Sequence, residues 1–194
     1  MNKIKAAICT MMFAGTAASA STVSLPDGKA CVAWKTKKTM FLVKKVEPVG
    51  VNCVVKIAIL DEGAARRVRV LVPIAGFDSG EPARDKSVLD ILKSKVQPEL
   101  EFLSRPYAAA EWEAFRTGKA DAVEGVLKIG GEEFPVKATV AFKGDGPASE
   151  VAGYLITTFT AFRIQPPTVA GGAVAKVEDY LELHYRVPLA ALTQ

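Results

Sequence analysis

Apolar and polar positions alternate with a period of two through most of this chain, most cleanly from Val123 to Val140. Val123, Gly125, Leu127 and Ile129 fall on one face of a first arm. Phe134, Val136, Ala138 and Val140 fall on one face of a second arm, with Lys137 and Thr139 opposite. Gly130-Gly131 between the arms supplies the positive φ that a two-residue hairpin turn requires. Such a pattern marks a sheet that is wet on one side and apolar on the other.

The pattern recurs upstream. Ala30–Lys38 alternates weakly, with Val32 and Trp34 together, and Met40–Val46 reads as a second short strand ended by Pro48 and Gly50. Val51, Cys53, Val55, Ile57 and Ile59 line one side of a strand from Val51 to Leu60. Asp61-Glu62-Gly63 turns the chain into a strand from Arg67 to Ala75, with Val68, Val70, Val72 and Ile74 inward. The segment FDSGEPARD (Phe77–Asp85) breaks the alternation. Val88, Leu89, Ile91 and Leu92 then recur at helical spacing, which predicts a short helix over Lys86–Lys95 started by Asp85 or Ser87. Glu99–Ser104 resumes a strand with Leu100 and Phe102 on one face. Tyr107–Thr117 has helical propensity but sits between strands, where a bent loop fits equally.

Downstream, Phe142 continues the apolar face and Lys143–Pro147 is a turn. Val151–Phe159 places Leu155 and Phe159 on one face and is apolar on both, as a strand covered on two sides would be. Gln165–Gly172 is a loop by its prolines and glycines. Val177–Val187 carries Leu181, Leu183 and Tyr185 inward and Glu178, Glu182, His184 and Arg186 outward, which makes His184 a solvated surface histidine. The sum is an all-β, antiparallel fold of about eight strands with one short helix, a count that suits a closed barrel.

Residues 1–20 stand apart: Lys3 and Lys5, an apolar run from Ala6, then Ala18-Ser19-Ala20. These are the three parts of a secretory leader in order, so residues 1–20 are expected to be a signal peptide and 21–194 a single periplasmic β-barrel domain. The chain carries a formal charge of +4, and the leader takes two lysines with it, leaving +2. The densest basic run, Lys35, Lys37, Lys38, Lys44 and Lys45, reads as a solvated strand face, and no nucleic-acid footprint is expected. Beyond the leader, Cys31 and Cys53 remain, an even count that suits a disulfide in an oxidising compartment. Strict alternation puts Cys31 opposite Val32 and Trp34 but Cys53 beside Val51, so two separate buried thiols stay an alternative.

Catalytic chemistry finds little support. A single histidine excludes a multi-histidine metal site, and no nucleophile elbow, P-loop or paired-cysteine metal spacing occurs. Asp78, Arg84 and Asp85 form the densest polar cluster, either fixing a turn and a helix start or placing Arg84 against a ligand head group at a rim.

Several of these segments, taken together, resemble the YceI-like family of bacterial periplasmic proteins. The likeness rests on FDSGEPARD with its helix and the strand PELEF, on GVLKIGGEEFPV at Gly125–Val136, on TTFTAFRI at Thr157–Ile164 and on VEDYLEL at Val177–Leu183. It runs from about Asp27 to Val187. It implies a lipocalin-like barrel with a long apolar cavity and a non-catalytic role in binding an isoprenoid lipid or a quinone-like amphiphile, with transient membrane contact. The lining would come from Val70, Val72 and Ile74, then Leu100 and Phe102, then Leu127, Ile129, Phe134 and Val136. Phe142, Leu155, Phe159, Leu181, Leu183 and Tyr185 would complete it, with Arg84 at the rim. Apolar walls suit a filled core as well as a hollow one. The competing expectation is therefore a dry-cored periplasmic module that binds another protein through its surface.

Overall fold

A computed structural model describes residues 23–41, 43–144, 149–169 and 174–192; the expected leader lies outside them. The chain opens with β1 (Cys31–Met40), β2 (Lys44–Val46), β3 (Val49–Asn52), β4 (Lys56–Glu62) and β5 (Ala65–Pro73). Helix α1 (Pro82–Ile91) leads to β6 (Glu99–Ser104) and β7 (Tyr107–Ala108), and α2 (Ala109–Arg116) follows directly. Then come β8 (Ala122–Ile129), β9 (Glu132–Thr139), β10 (Ala141–Lys143), β11 (Glu150–Thr157), β12 (Thr168–Val169) and β13 (Ala175–Pro188).

The described strands form two antiparallel sheets. One has the order β10-β11-β13-β1-β2, with β3 also on β1 and β12 on β13; the other has the order β4-β5-β6-β8-β9, with β7 on β5. The expectation of about eight strands in a closed barrel therefore gives way to two sheets with no ladder joining them. The single-helix expectation also fails, because Tyr107–Thr117 follows its propensity and forms α2. Where β9 meets β11, side chains replace the ladder. Thr139 Oγ1 accepts from Tyr154 N (2.9 Å) and donates to Tyr154 O (3.1 Å), and the Tyr185 hydroxyl donates to Thr139 O (2.7 Å). Burial pushes the Tyr185 hydroxyl well above its ordinary pKa, so it stays a donor.

The segment expected as one strand from Val51 to Leu60 is broken after Asn52, and the break carries the chain from one sheet to the other. Asn52 is buried and stabilises the crossing: Nδ2 donates to Pro73 O (2.7 Å) and Oδ1 accepts from Val54 N (2.7 Å). The break also resolves the cysteine parity. On β3, Val49 and Val51 pack with Cys53, Cys31, Ala33 and Leu25 in a small second core, whereas Val55 and Ile57 beyond the break line the main interior. Val32 pairs with Asn52, so the register sets Cys31 directly across from Cys53, and the two are bonded at a Cα separation of 4.1 Å.

Helix α1 begins at Pro82, four residues before the expected start, with Glu81 preceding it and proline in the first turn. Asp85 caps nothing; its Oδ1 accepts from Ser79 N (3.1 Å), and Ser87 Oγ donates back to Ala83 O (2.9 Å). The hairpin from β8 to β9 forms as its sequence requires, with Gly130 and Gly131 both at positive φ (58° and 84°).

Candidate functional site

Inward side chains of the two sheets meet around a cavity of about 520 Å³ rather than filling the space between them. The size lies within the range of small-molecule sites. From the second sheet, Val70 and Val72 of β5, Leu100 and Phe102 of β6, Leu127 and Ile129 of β8 and Val136 of β9 face it. From the first sheet, Phe142, Leu155, Leu181, Leu183 and Tyr185 face it, with Phe159 from the turn after β11. Val70, Leu100, Phe102, Leu127, Leu155 and Leu183 are only partly buried although they point inward, as expected where an interior is hollow.

Two of the expected lining residues stand elsewhere. Ile74 is buried in the 3₁₀ turn that ends β5, and Phe134 packs edge-to-face on Phe162 at a centroid distance of 5.4 Å, beneath the lining layer. Phe134 keeps its place on β9 but is covered by the turn that carries Phe162, and Ile74 lies past the end of the strand. The sequence reading missed the contributions of the helices. Val88 and Ile91 of α1 and Trp112 and Phe115 of α2 line the cavity, and each pair shows the i, i+3 spacing of one helix face.

The two helices stand at opposite ends of β5: α1 comes after its last residue by way of the 3₁₀ turn, while β7, which leads into α2, pairs with its first two. Nine residues of strand set the ends roughly 26 Å apart. At the α2 end, Tyr107, Trp112 and Phe115 pack edge-to-face with centroids 5.0–6.1 Å apart, and the Arg105 guanidinium covers the Tyr107 ring at 3.9 Å. At the α1 end, the lining residues Glu81, Ala83 and Ser87 are exposed, so here the cavity meets solvent. Arg84 stands at this mouth, where its Nε donates to Ser79 Oγ (2.9 Å) and its Nη2 meets Glu81 Oε2 (2.9 Å). Lys38 lines the cavity from β1.

The outer face of the first sheet differs from expectation. Lys35 is buried, with Nζ at 2.6 Å from Glu47 Oε2, and His184 has a side chain only 10% exposed, with Nε2 at 2.8 Å from the buried Glu182. Neither is the solvated group that alternation alone suggests: Glu47 meets Lys35, the Tyr154 ring lies beside His184, and Tyr180 donates to Glu182 on the same face. Burial and then that bond push the Tyr180 hydroxyl up to about 12.

The class is thus a β-sheet protein enclosing an apolar cavity that meets solvent beside α1. A YceI-like domain model matches residues 26–188, and the chain belongs to that family. Among solved structures, Burkholderia cenocepacia BcnA is similar at TM-score 0.59 and 19% identity over 81% of this chain and 94% of that one. A polyisoprenoid binding domain from Saccharophagus degradans, implicated in plant cell wall breakdown, is similar at TM-score 0.56 and 8% identity, covering 81% and 95%. The Campylobacter jejuni YCEI protein is similar at TM-score 0.50 and 13% identity, covering 90% and 91%. At these identities the likeness is one of fold. Among curated proteins nothing matches.

Proposed function

We propose that this protein is a non-catalytic carrier or reservoir for a long-chain amphiphile of isoprenoid type, acting in the periplasm. One observation carries the reading: the space between the sheets is an apolar hollow of about 520 Å³ that meets solvent beside α1. Each methylene moved from water into such a space is favourable by about 0.8 kcal/mol, and no reactive group is needed for retention. The polar rim around Arg84 and Lys38 suits a head group left at the mouth while the chain lies between the sheets. One structural neighbour is a polyisoprenoid binding domain, which supports this ligand class, and the disulfide suits an oxidising compartment. The hollow also speaks against a dry-cored interaction module, whose interior side chains would meet.

The test is organic extraction of protein purified from the periplasmic fraction, followed by mass spectrometry. A stoichiometric long-chain lipid is expected. Recovery of no lipid, together with no uptake of long-chain isoprenoids in vitro, overturns the carrier reading.

A further inference from the structure

The turn between β1 and β2 exposes apolar surface beside the cavity. Phe41 is 64% exposed and Val43 82%, and Val174, whose carbonyl accepts from Phe41 N at 3.0 Å, is 38% exposed. Phe41 also holds a left-handed backbone conformation, with φ at 48°. A turn position of this kind ordinarily takes glycine or asparagine, and a bulky aromatic there is uncommon. The chain thus accepts backbone strain where glycine or asparagine would relieve the strain and remove the exposed ring.

Lysines flank this tip. Lys44 and Lys45 follow it on β2 and Lys176 pairs with Thr39 from β13, all three exposed, while half-buried Lys37 and Lys38 precede it on β1, Lys37 with its ammonium 3.8 Å over the Tyr180 ring. The acidic groups nearby are fewer: Glu47 is tied to Lys35, Asp179 accepts from Thr160 N and Oγ1, and Glu178 is exposed. Lys38 lines the cavity, and Phe41 is three residues further along, about 10 Å of extended chain.

We infer that the β1–β2 tip is a membrane-docking element: Phe41 and Val43 enter the interface of a bilayer while the surrounding lysines contact anionic head groups, bringing the cavity mouth to the lipid surface. Exposed apolar groups ringed by lysine match the two components of interfacial binding, shallow apolar burial and attraction to an anionic leaflet. A protein partner would ask for shape complementarity around the tip, whereas a bilayer asks only for this sequence of apolar apex and basic collar. That docking serves cargo exchange rests on the carrier reading; docking itself does not.

The experiment is co-sedimentation of the purified protein, its mature N-terminus checked by mass spectrometry, with phosphatidylcholine vesicles with and without phosphatidylglycerol. Binding is expected to require phosphatidylglycerol and to weaken as salt rises. The pair Phe41→Ser and Val43→Ser is expected to lower the partition coefficient on the order of tenfold. Lys44→Ser and Lys45→Ser should lower it about fivefold each, about 1 kcal/mol per lysine at an anionic surface. Protein that stays in the supernatant, that binds neutral vesicles equally, or whose tip variant binds like the parent overturns the inference. Lipid extraction on the same samples separates the two ideas. A tip variant that keeps its cargo but loses vesicle binding supports docking, and a parent that docks but neither carries nor takes up a long-chain lipid supports docking while removing the carrier reading.

Discussion

Leu155 shows how little of a side chain's role its polarity reveals. It lies on the apolar face of β11 and is only partly buried, because the cavity is on its far side. In a filled core, replacing it by tryptophan overpacks its neighbours and costs roughly 1–3 kcal/mol. In a hollow one, the indole enters empty space. Leu155→Trp is therefore expected to keep the melting temperature within a few degrees while abolishing co-purified lipid in the extraction assay. Gly153 on the same strand is the opposite case. A Cβ there would collide with Thr139 O and the Tyr185 hydroxyl, the groups that join β9 to β11. Gly153→Ala is expected to cost about 1–3 kcal/mol, read as a lowered urea midpoint. Its period-two position gave no warning, since a glycine on an alternating face signals no particular neighbour.

Among elements, one carboxylate ties β9 to the turns after α1 and β11. Glu132, at the start of β9, accepts from Lys93 Nζ after α1 (3.1 Å) and from Arg163 Nη1 in the turn after β11 (2.9 Å). Both partners sit at left-handed φ, 54° and 55°. The bond to Lys93 and then that to Arg163 hold the Glu132 carboxyl below the ordinary carboxylate range. A depressed folded-state pKa contributes stability above the unfolded value and loses it as pH falls through the folded one. Hydrogen exchange at 89–97 and 160–164 is thus expected to be slow at neutral pH and to accelerate, after correction for intrinsic rates, below the ordinary carboxylate range. Glu132→Gln should show the faster exchange at neutral pH and lose that difference once the parent's carboxyl is protonated. The disulfide ties β1 to β3 across a sequence separation of 22 residues, for which loop-closure entropy gives about 3 kcal/mol. Cys31→Ser with Cys53→Ser is expected to lower stability by about that amount in denaturant titration without altering cargo, because the pair lies in the second core and not on the cavity wall.

At the scale of the whole molecule, an unfilled interior is itself a cost. Side chains that face a void lose dispersion contacts which a bound chain restores. Cargo that binds only the folded state adds RT ln(1 + [L]/Kd), about 2.7 kcal/mol at a hundredfold excess over Kd. Solvent-extracted protein is expected to melt several degrees lower than protein as purified, and to regain the difference on reloading. Equal melting temperatures would mean that the hollow stays empty.

The alternation of side chains determined which faces are apolar, where the β8–β9 hairpin turns, and that the chain builds antiparallel sheets, because strand geometry fixes side-chain parity locally. Motif order from FDSGEPARD to VEDYLEL likewise pointed to the family before any coordinate. Only the tertiary structure decided that Cys31 meets Cys53, that His184 and Lys35 are covered, and that the walls stand apart. Parity is reset at the break after Asn52, and burial depends on what crosses over a strand. The distance between two apolar faces is a property of both sheets at once, and no single strand encodes it.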